Sequence, residues 1–358
     1  MSAIRVNWDG GEAHVDAAPN DTVGQVLARA GAPDTLIGAR ADGNLKGVMD
    51  PVGGAAELTG VTLESADGLF LLRHSSAHIM ATAIQELYPG TKFAIGPPIA
   101  DGFYYDMQSS RAFTPEDLEA IEKKMRGIIA QKMPFQRIEA NRLEAIDKFK
   151  ASDDPYKVEI LEGLPDDTVT YYVNGPFTDL CRGPHAPSTG SLNAKAFKLL
   201  QVAGAYWRGD EMRPMLQRIY GTTWATPDDL AKYLDKLEQA KLRDHRKLGK
   251  ELDLFSVHDD GGAGLIFWHP KGGRIRKAVE DYWRDTHLKG GYEIVFTPHV
   301  GKSTLWETSG HLGFYRENMY APLDVDGQEY FLKPMNCPFH ILIYQTAMRS
   351  YRDMPFRW

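Results

Sequence analysis

The sequence is poor in cysteine: 358 residues hold two, Cys181 and Cys337, 156 positions apart. In a chain without export signals, two thiols so placed favour reduced groups, used as ligands or nucleophiles, over a disulfide. No run of 18 or more uninterrupted apolar residues occurs, and the opening MSAIRVNWDGGEAH lacks the apolar core of a signal peptide. Neither a membrane span nor secretion is indicated, and the cytoplasm is the expected compartment. The sequence also contains no GxxxxGK[ST] phosphate loop, no dinucleotide-type GxGxxG, no GxSxG elbow and no CxxC pair. Charge of one sign is modest: 41 basic against 48 acidic residues, a balance of −7. That speaks against a broad nucleic-acid-coating surface and leaves room for a local basic face. With 43% apolar and 25% charged residues, disordered, collagen-like and coiled-coil classes are excluded. The length fits two or three domains at roughly 150 residues each.

Residues 1–62 alternate short apolar and polar runs with Gly-rich turns around one helical stretch, DTVGQVLARAG. There Val23, Val26, Leu27 and Ala30 share a face, Asp21 or Thr22 suits the N-cap, and Gly31 the stop. The segment reads as a small β-grasp-like module. Its eight acidic against four basic residues offer no phosphate-binding patch, so by themselves they describe a packing module. From Leu71 to about Trp224 the pattern is α+β. A helix HSSAHIMATAIQELYPG precedes an extended piece FAIGPPIADGFYYDM and a second helix from TPEDL. In that helix Thr114 caps, Pro115 takes the first position, Asp117 returns to the cap, and Leu118, Ile121, Met125 and Ile128 form the stripe. Strand-like runs follow at TVTYYV, AFKLLQVAGAYW and MLQRIYGTTW, with the loop FTDLCRGPHAPSTG between the first two. Residues 226–250 repeat the capping arrangement with Thr226, Pro227 and Asp229 and read as one connecting helix, with seven basic against three acidic residues over 231–250. Such a run is either a solvated face or a surface for nucleic-acid backbone. Beyond Glu251, Ile275, Val279, Tyr282 and Trp283 mark a long amphipathic helix stopped by Gly290-Gly291. A strand YEIVF, ending at Thr297-Pro298, is expected next, within a larger mixed sheet.

Three constellations carry possible chemistry. In His74-x-x-x-His78 the imidazoles lie one helical turn apart, on a face roughly opposite Met80, Ile84 and Leu87. They are expected either in solvent or lining a cleft. Ser75 occupies the place where a zinc-protease motif has Glu, which removes that reading. Cys181-x-x-x-His185 lies in a loop with Asp179 and Gly183-Pro184. Together the two pairs make a nominal nitrogen and sulfur set for tetrahedral zinc. They serve equally as a metal-free hydrolytic pocket in which a neutral histidine acts as base or orients water. Spacing leaves both open, along with a buried Cys beside an incidental histidine. In Lys333-Pro-Met-Asn-Cys337-Pro-Phe-His340, Asn336 or Cys337 starts a helix with Pro338 in its first turn. A thiol there is either a ready ligand or nucleophile or a buried small residue.

In order along the chain, HSSAH, IGPPIADGFYYD, DLCRGPH, LFSVHDDGGAGLIFWHPKGG, WETSGHLGFY, KPMNCP-x-H and SYRDMPFR follow the signature runs of the threonyl-tRNA synthetase family, bacterial type. The chain closely resembles that family over essentially its whole length. The resemblance implies an α+β multidomain protein: a TGS-type β-grasp domain at 1–62, an editing domain at 63–225, a linker helix at 226–250, and at 251–358 the start of a class II synthetase antiparallel-sheet core. The family joins threonine to tRNA(Thr) through a threonyl-adenylate made from ATP with Mg2+, and hydrolyses serine wrongly attached to that tRNA. The second activity is needed because one methyl group is worth only about 1–3 kcal/mol of discrimination.

Residue by residue, His74, His78, Cys181 and His185 resemble the editing quartet, with Asp179 and Lys157 of the DDPYK run beside it. His74 and Lys157 are expected to position the terminal ribose and the attacking water, and Cys181 and Asp179 to shape the pocket for serine. In related alanyl enzymes a similar quartet binds zinc, whereas the bacterial threonyl type resembles a metal-free site. Cys337 resembles the first ligand of the synthetic-site Zn2+, one per subunit, and Met335 a neighbour of that pocket. The segment 274–298 resembles motif 1, which builds the homodimer interface. Phe339 stands where the family's PMNCPGH has glycine, and the sequence ends at Trp358, short of the motif 2 arginine. The expectation is therefore the N-terminal portion of such an enzyme, without adenylation of its own. An editing-only hydrolase acting in trans on seryl-tRNA and a noncatalytic tRNA-binding fragment are the alternatives.

Overall fold

The computed structural model describes residues 2–358. Alternation of Ile4 and Val6 with polar neighbours sets the pleat of β1 (Ser2–Trp8), which pairs antiparallel with β2 (Gly11–Ala17). After the hairpin, α1 (Val23–Arg29) begins with a capping box. The Thr22 hydroxyl accepts from Gln25 N–H, and the Gln25 side chain accepts from Thr22 N–H. Thr22 is thus the cap, while Asp21 is left to pair with Arg29 at 2.5 Å. Gly31, at φ +72°, follows the C-cap Ala30. Three strands, β3 (Gly38–Ala41), β4 (Asn44–Gly47) and β5 (Glu57–Val61), complete a sheet of order β2-β1-β5-β3-β4, in which β1 and β5 run parallel. Val6, Val23, Val26 and Leu58 are fully buried between this sheet and α1.

Next, α2 (Ala66–Leu87) starts eight residues before the expected His74, because Ser65 caps it by accepting from Gly68 N–H at 3.0 Å. Every residue from Leu71 to Ile84 is buried. The expected division into an apolar stripe and a separate histidine face therefore does not describe this helix, which is covered on all sides. It packs on a sheet built from β6 (Lys92–Phe93), β7 (Pro98–Ile99), β8 (Gly102–Gln108), β12 (Phe197–Tyr206) and β13 (Met215–Thr223), ordered β12-β13-β8-β6 with β7 on β8. Between β8 and β12, α3 (Pro115–Ala130) carries the expected Thr114 and Asp117 capping box and buries Leu118, Ile121, Met125 and Ile128. β9 (Gln136–Asn141), β10 (Thr168–Asn174) and β11 (Phe177–Leu180) form a second, three-stranded sheet. Two helices that periodicity does not reveal, α4 (Arg142–Ala151) and α5 (Pro155–Glu162), connect β9 to β10.

The connecting segment is two helices rather than one. α6 (Pro227–Leu242) ends before Asp244, whose carboxylate accepts from Arg246 N–H at 2.8 Å and caps α7 (His245–Glu251). A short acidic side chain that satisfies backbone N–H groups outside helical geometry is a natural break. Contacts divide the chain into two compact units, Met1–Lys241 and Leu242–Trp358.

The second unit contains β14 (Phe255–Ser256) paired with β15 (Phe267–Trp268), the long α8 (Pro270–Lys289) capped by Gly290, then β16 (Val300–Lys302), α9 (Ser303–Thr308), α10 (His311–Phe314), β17 (Leu323–Val325), β18 (Gln328–Leu332) and α11 (Cys337–Tyr344). The expected strand YEIVF is not one. Its backbone N–H groups reach no strand: Tyr292 N–H donates to His287 O at 3.0 Å, behind the helix end, and Glu293 N–H to Arg357 O at 2.9 Å, and Phe296 is 91% exposed. Strand propensity expresses a pleated, half-covered surface, and no neighbouring strand supplies one here. Phe339 packs edge-on against Trp306 at 5.5 Å in a small core with Phe331. Among the described residues no helix is long and apolar enough to cross a membrane.

Candidate active site

The first unit brings both sequence pairs together. α2 presents His74 and His78, and the loop leaving β11 folds back so that Cys181 and His185 meet them. The His74 and His185 rings stack at 4.1 Å between centroids, and His78 lies 4.2 Å from His185. Phe135 stacks on the far side of His185 at 4.9 Å. The loop is anchored by Cys181 N–H to Thr170 O at 3.2 Å and by Thr170 Oγ1–H to Cys181 O at 2.8 Å.

Hydrogen bonding assigns the protons. His74 Nδ1–H donates to Pro184 O at 3.0 Å, so Nε2 is an acceptor, and the Cys181 thiol 3.1 Å away donates to it. Ser75 Oγ accepts from Ala186 N–H at 2.9 Å and donates to His185 Nδ1 at 3.2 Å. His185 then carries its proton on Nε2 and donates to Cys181 Sγ at 3.4 Å, while Gly183 N–H reaches the same sulfur at 3.2 Å. These positions follow from network consistency. Burial sets the charge states. It lowers His74 to about 4, against the Pro184 carbonyl and Asp179. It lowers His78 to about 3, against Asp179. It holds His185 well below its ordinary value, with His74 and His78 adding to the effect. Burial and then Asp179 push the Cys181 thiol up to about 12. At neutral pH the cluster is three neutral imidazoles and one thiol, and the thiol is no nucleophile.

Beneath it lies a buried ion pair. Burial raises the Asp179 carboxyl, but Lys157 and His78 outweigh it and hold the group below its ordinary value. Asp179 Oδ2 accepts from Tyr105 O–H at 2.5 Å and lies 3.1 Å from His78 Nε2. Lys157, brought in by α5, contacts Oδ1 as an ion pair without hydrogen-bond geometry and donates to Tyr105 Oη at 3.1 Å. A cavity of about 560 Å3 opens over these groups, lined by His74, His78, Lys157, Asp179, Cys181 and Thr170, with Phe70 and Arg182 among its other residues. All six residues singled out in the sequence thus converge, His74 and His78 on the cavity side and His185 buried behind them. Sequence reasoning missed Tyr105 and Ser75. Tyr105 had a signal, because in FYYDM the period-two inward positions are Phe103, Tyr105 and Met107, all fully buried, and a buried phenol needs a polar partner.

The four donor atoms of His74, His78, Cys181 and His185 lie within 4.8 Å of one another, a composition that fits tetrahedral zinc. A zinc held by all four would require the thiolate and be a closed site; held by three of them it would leave a fourth position where water could be activated. Elsewhere, Met335 and Cys337 lie in the second unit, where Asn336 caps α11, Pro338 sits in its first turn, and Cys337 is exposed. Among the described residues Cys337 belongs to no group of three or more His, Cys, Asp or Glu. A catalytic zinc takes three protein ligands, so the residues present do not fit that metal.

Residues 169–220 match the family described as the threonyl and alanyl tRNA synthetase second additional domain, a stretch that includes Asp179, Cys181 and His185. A protein of Acidithiobacillus ferrooxidans named threonine–tRNA ligase is 51% identical over 339 residues, 94% of this chain and 52% of that protein. One from a Synechococcus species is 54% identical over 290 residues, 81% of this chain and 48% of that protein. The crystal structure of the RNA binding domain of threonyl-tRNA synthetase from Cryptosporidium parvum Iowa II matches with a TM-score of 0.31 at 39% identity, over 32% of this chain and 28% of that one. The chain spans about half the length of the curated relatives it matches. Over most of its length, this chain is a homologue of threonine–tRNA ligases.

Proposed function

We propose that the first unit is a hydrolytic editing centre that removes serine from mischarged tRNA(Thr). The observation that carries the reading is the convergence of His74, His78, Cys181 and one buried Lys157–Asp179 pair at the wall of one open cavity, with His185 packed behind them. In the reaction water attacks the ester carbonyl carbon, the carbon–oxygen bond to the ribose breaks, and serine and the terminal hydroxyl are released. His74 and Lys157 position the ribose and the water. Lys157, held by Asp179, brings N–H donors and positive charge to a place screened from solvent, where charge developing on an oxygen is best stabilised. A neutral imidazole orients water by accepting its proton in a hydrogen bond, and His74 Nε2 takes that role by exchanging the Cys181 thiol for the water. Cys181, protonated, and Asp179 act as walls that exclude the extra methyl of threonine.

The rest of the reading concerns the whole protein. In it this unit accompanies an ATP- and Mg2+-dependent threonine–tRNA(Thr) ligase of the cytoplasm. Cys337 serves as one ligand of the synthetic-site Zn2+, and Met335 as a pocket neighbour. The 1–62 sheet is a TGS-type β-grasp module, residues 251–358 begin a class II core, and residues 274–298 build the homodimer. Incubation of the chain with Ser-tRNA(Thr), beside His74→Ala and Cys181→Ala, tests the editing centre. Faster deacylation by the unsubstituted chain is expected, and equal rates in all three would end the proposal.

A further inference from the structure

We infer that Asp50, supplied by the N-terminal sheet module, is a positioning residue for the hydrolytic cluster, acting through Tyr172; the inference rests on the editing function proposed above. Asp50 follows β4 and is 8% exposed. Its Oδ2 accepts Gly47 N–H at 2.7 Å and closes the Gly47–Asp50 turn. That local task uses one oxygen. The other, Oδ1, faces away from the module, accepting Tyr172 O–H at 2.9 Å and lying 3.5 Å from Arg137 Nε. Tyr172 and Arg137 are register partners on β10 and β9, so the second sheet offers the carboxylate a donor and a cation side by side. A buried carboxylate without such partners would be costly, and here both come from outside the module.

Tyr172 carries this anchorage to the cluster. Its ring meets His185 edge-on at 4.5 Å. Its oxygen sits directly under Gly183, where a Cβ would come within 2.3 Å of it. Gly183 in turn donates its N–H to Cys181 Sγ. A second, independent contact comes from Gly47, where a Cβ would lie 2.5 Å from His185 O. The module's turn therefore supports the 183–185 segment at both ends. A Tyr172 phenol released from Asp50 would free the donor that holds Cys181 and the ring wall that orients His185.

The test uses the full chain carrying Asp50→Asn, Tyr172→Phe or both, with single-turnover deacylation of Ser-tRNA(Thr) read over a range of protein concentrations. Each single variant is expected to lower the saturating rate about tenfold without changing the half-saturating concentration, and the double variant to fall no further. Wild-type rates, additive losses, or a raised half-saturating concentration with an unchanged rate would each overturn the inference. In parallel, iodoacetamide alkylation of Cys181, followed by mass spectrometry of its peptide, is expected to change at least threefold in both single variants. If the unsubstituted chain does not deacylate Ser-tRNA(Thr), the editing proposal fails by itself, and unchanged alkylation in both variants then refutes the positioning role. Tyr172→Phe keeps the ring and removes one oxygen, so it decides the matter should Asp50→Asn fail to fold.

Discussion

Acidification strikes the cluster before it strikes most of the protein. In the unfolded chain His74, His78 and His185 take up protons as pH falls through their ordinary value of 6.5; in the folded chain burial delays this to about 4 for His74, to about 3 for His78, and to well below 6.5 for His185. The unfolded state binds more protons in that interval, so stability is fully present above pH 6.5 and is lost as pH falls towards the folded values. For His74 alone the shift corresponds to roughly 3 kcal/mol once both states are protonated. Asp154 opposes this, because burial raises its carboxyl to about 6 despite Lys157, and it takes up its proton earlier in the folded chain. His74 and His78 favouring unfolding against Asp154 favouring folding leave one proton, a slope of roughly 1 kcal/mol per pH unit between pH 6 and 4.5, which His185 steepens. Against a total stability of about 5–15 kcal/mol, the first unit is expected to lose a sizeable fraction of its stability by pH 4.5 and to unfold at clearly lower urea there than at pH 7.5. Urea unfolding at pH 7.5, 6.5, 5.5 and 4.5 measures this. The readout is the reaction of Cys181 with 4,4′-dithiodipyridine, scored by mass spectrometry so that it reports this unit alone. His74→Asn is expected to reduce the slope by one proton. A midpoint constant from pH 7.5 to 5, or an unchanged slope in His74→Asn, would refute the reasoning.

Other outcomes follow from the same geometry. Lys157→Met strands the Asp179 carboxylate in the interior and is expected to destabilise the unit by roughly 3–5 kcal/mol, with part recovered in the double variant Lys157→Met with Asp179→Asn; the readout is the urea midpoint at pH 7.5. Gly183→Ala and Gly209→Ala place a Cβ at nearly the same positive φ, +71° and +72°, but only the first meets Tyr172 Oη, at 2.3 Å, while the second meets nothing within 4 Å. The Gly209 variant is expected to cost about 1–2 kcal/mol of backbone strain and the Gly183 variant clearly more, and equal melting temperatures would remove the Tyr172 contact from the account. Exhaustive dialysis against a chelator is expected to leave Ser-tRNA(Thr) deacylation unchanged. Activity lost on dialysis and restored by zinc alone would show the quartet working around a metal.

What the sequence made legible was local. The four-residue spacing in His74-x-x-x-His78 placed both imidazoles on one face of α2, whereas Cys181-x-x-x-His185 lies in the loop leaving β11, where spacing fixes no common side. A helical wheel left open whether the histidines face solvent or a cleft; packing of α3, β8, β13 and β11 around α2 leaves them only the cavity. Lys157 was expected near the site without the helix that carries it, since PYKVEILE in α5 shows little periodic contrast. Asp50 and Tyr172 left no trace at all. Their bond spans 122 positions, and nothing in the turn LKGVMDP tells which of two carboxylate oxygens has work outside it. The YEIVF run erred in the opposite direction, as its propensity was right and its partners were missing.

Every group of the cluster, and the Asp50 carboxylate behind it, belongs to the unit Met1–Lys241. In time as well as space this unit comes first. At about 5–20 residues per second of synthesis, the 117 residues of Leu242–Trp358 occupy the ribosome for roughly 6–23 seconds after the last residue of the first unit has been joined. A cluster whose two halves lie over a hundred positions apart in sequence thus has its whole complement available while the chain is still tethered. A nascent polypeptide stalled anywhere in the second unit would carry the complete cluster on an unfinished protein.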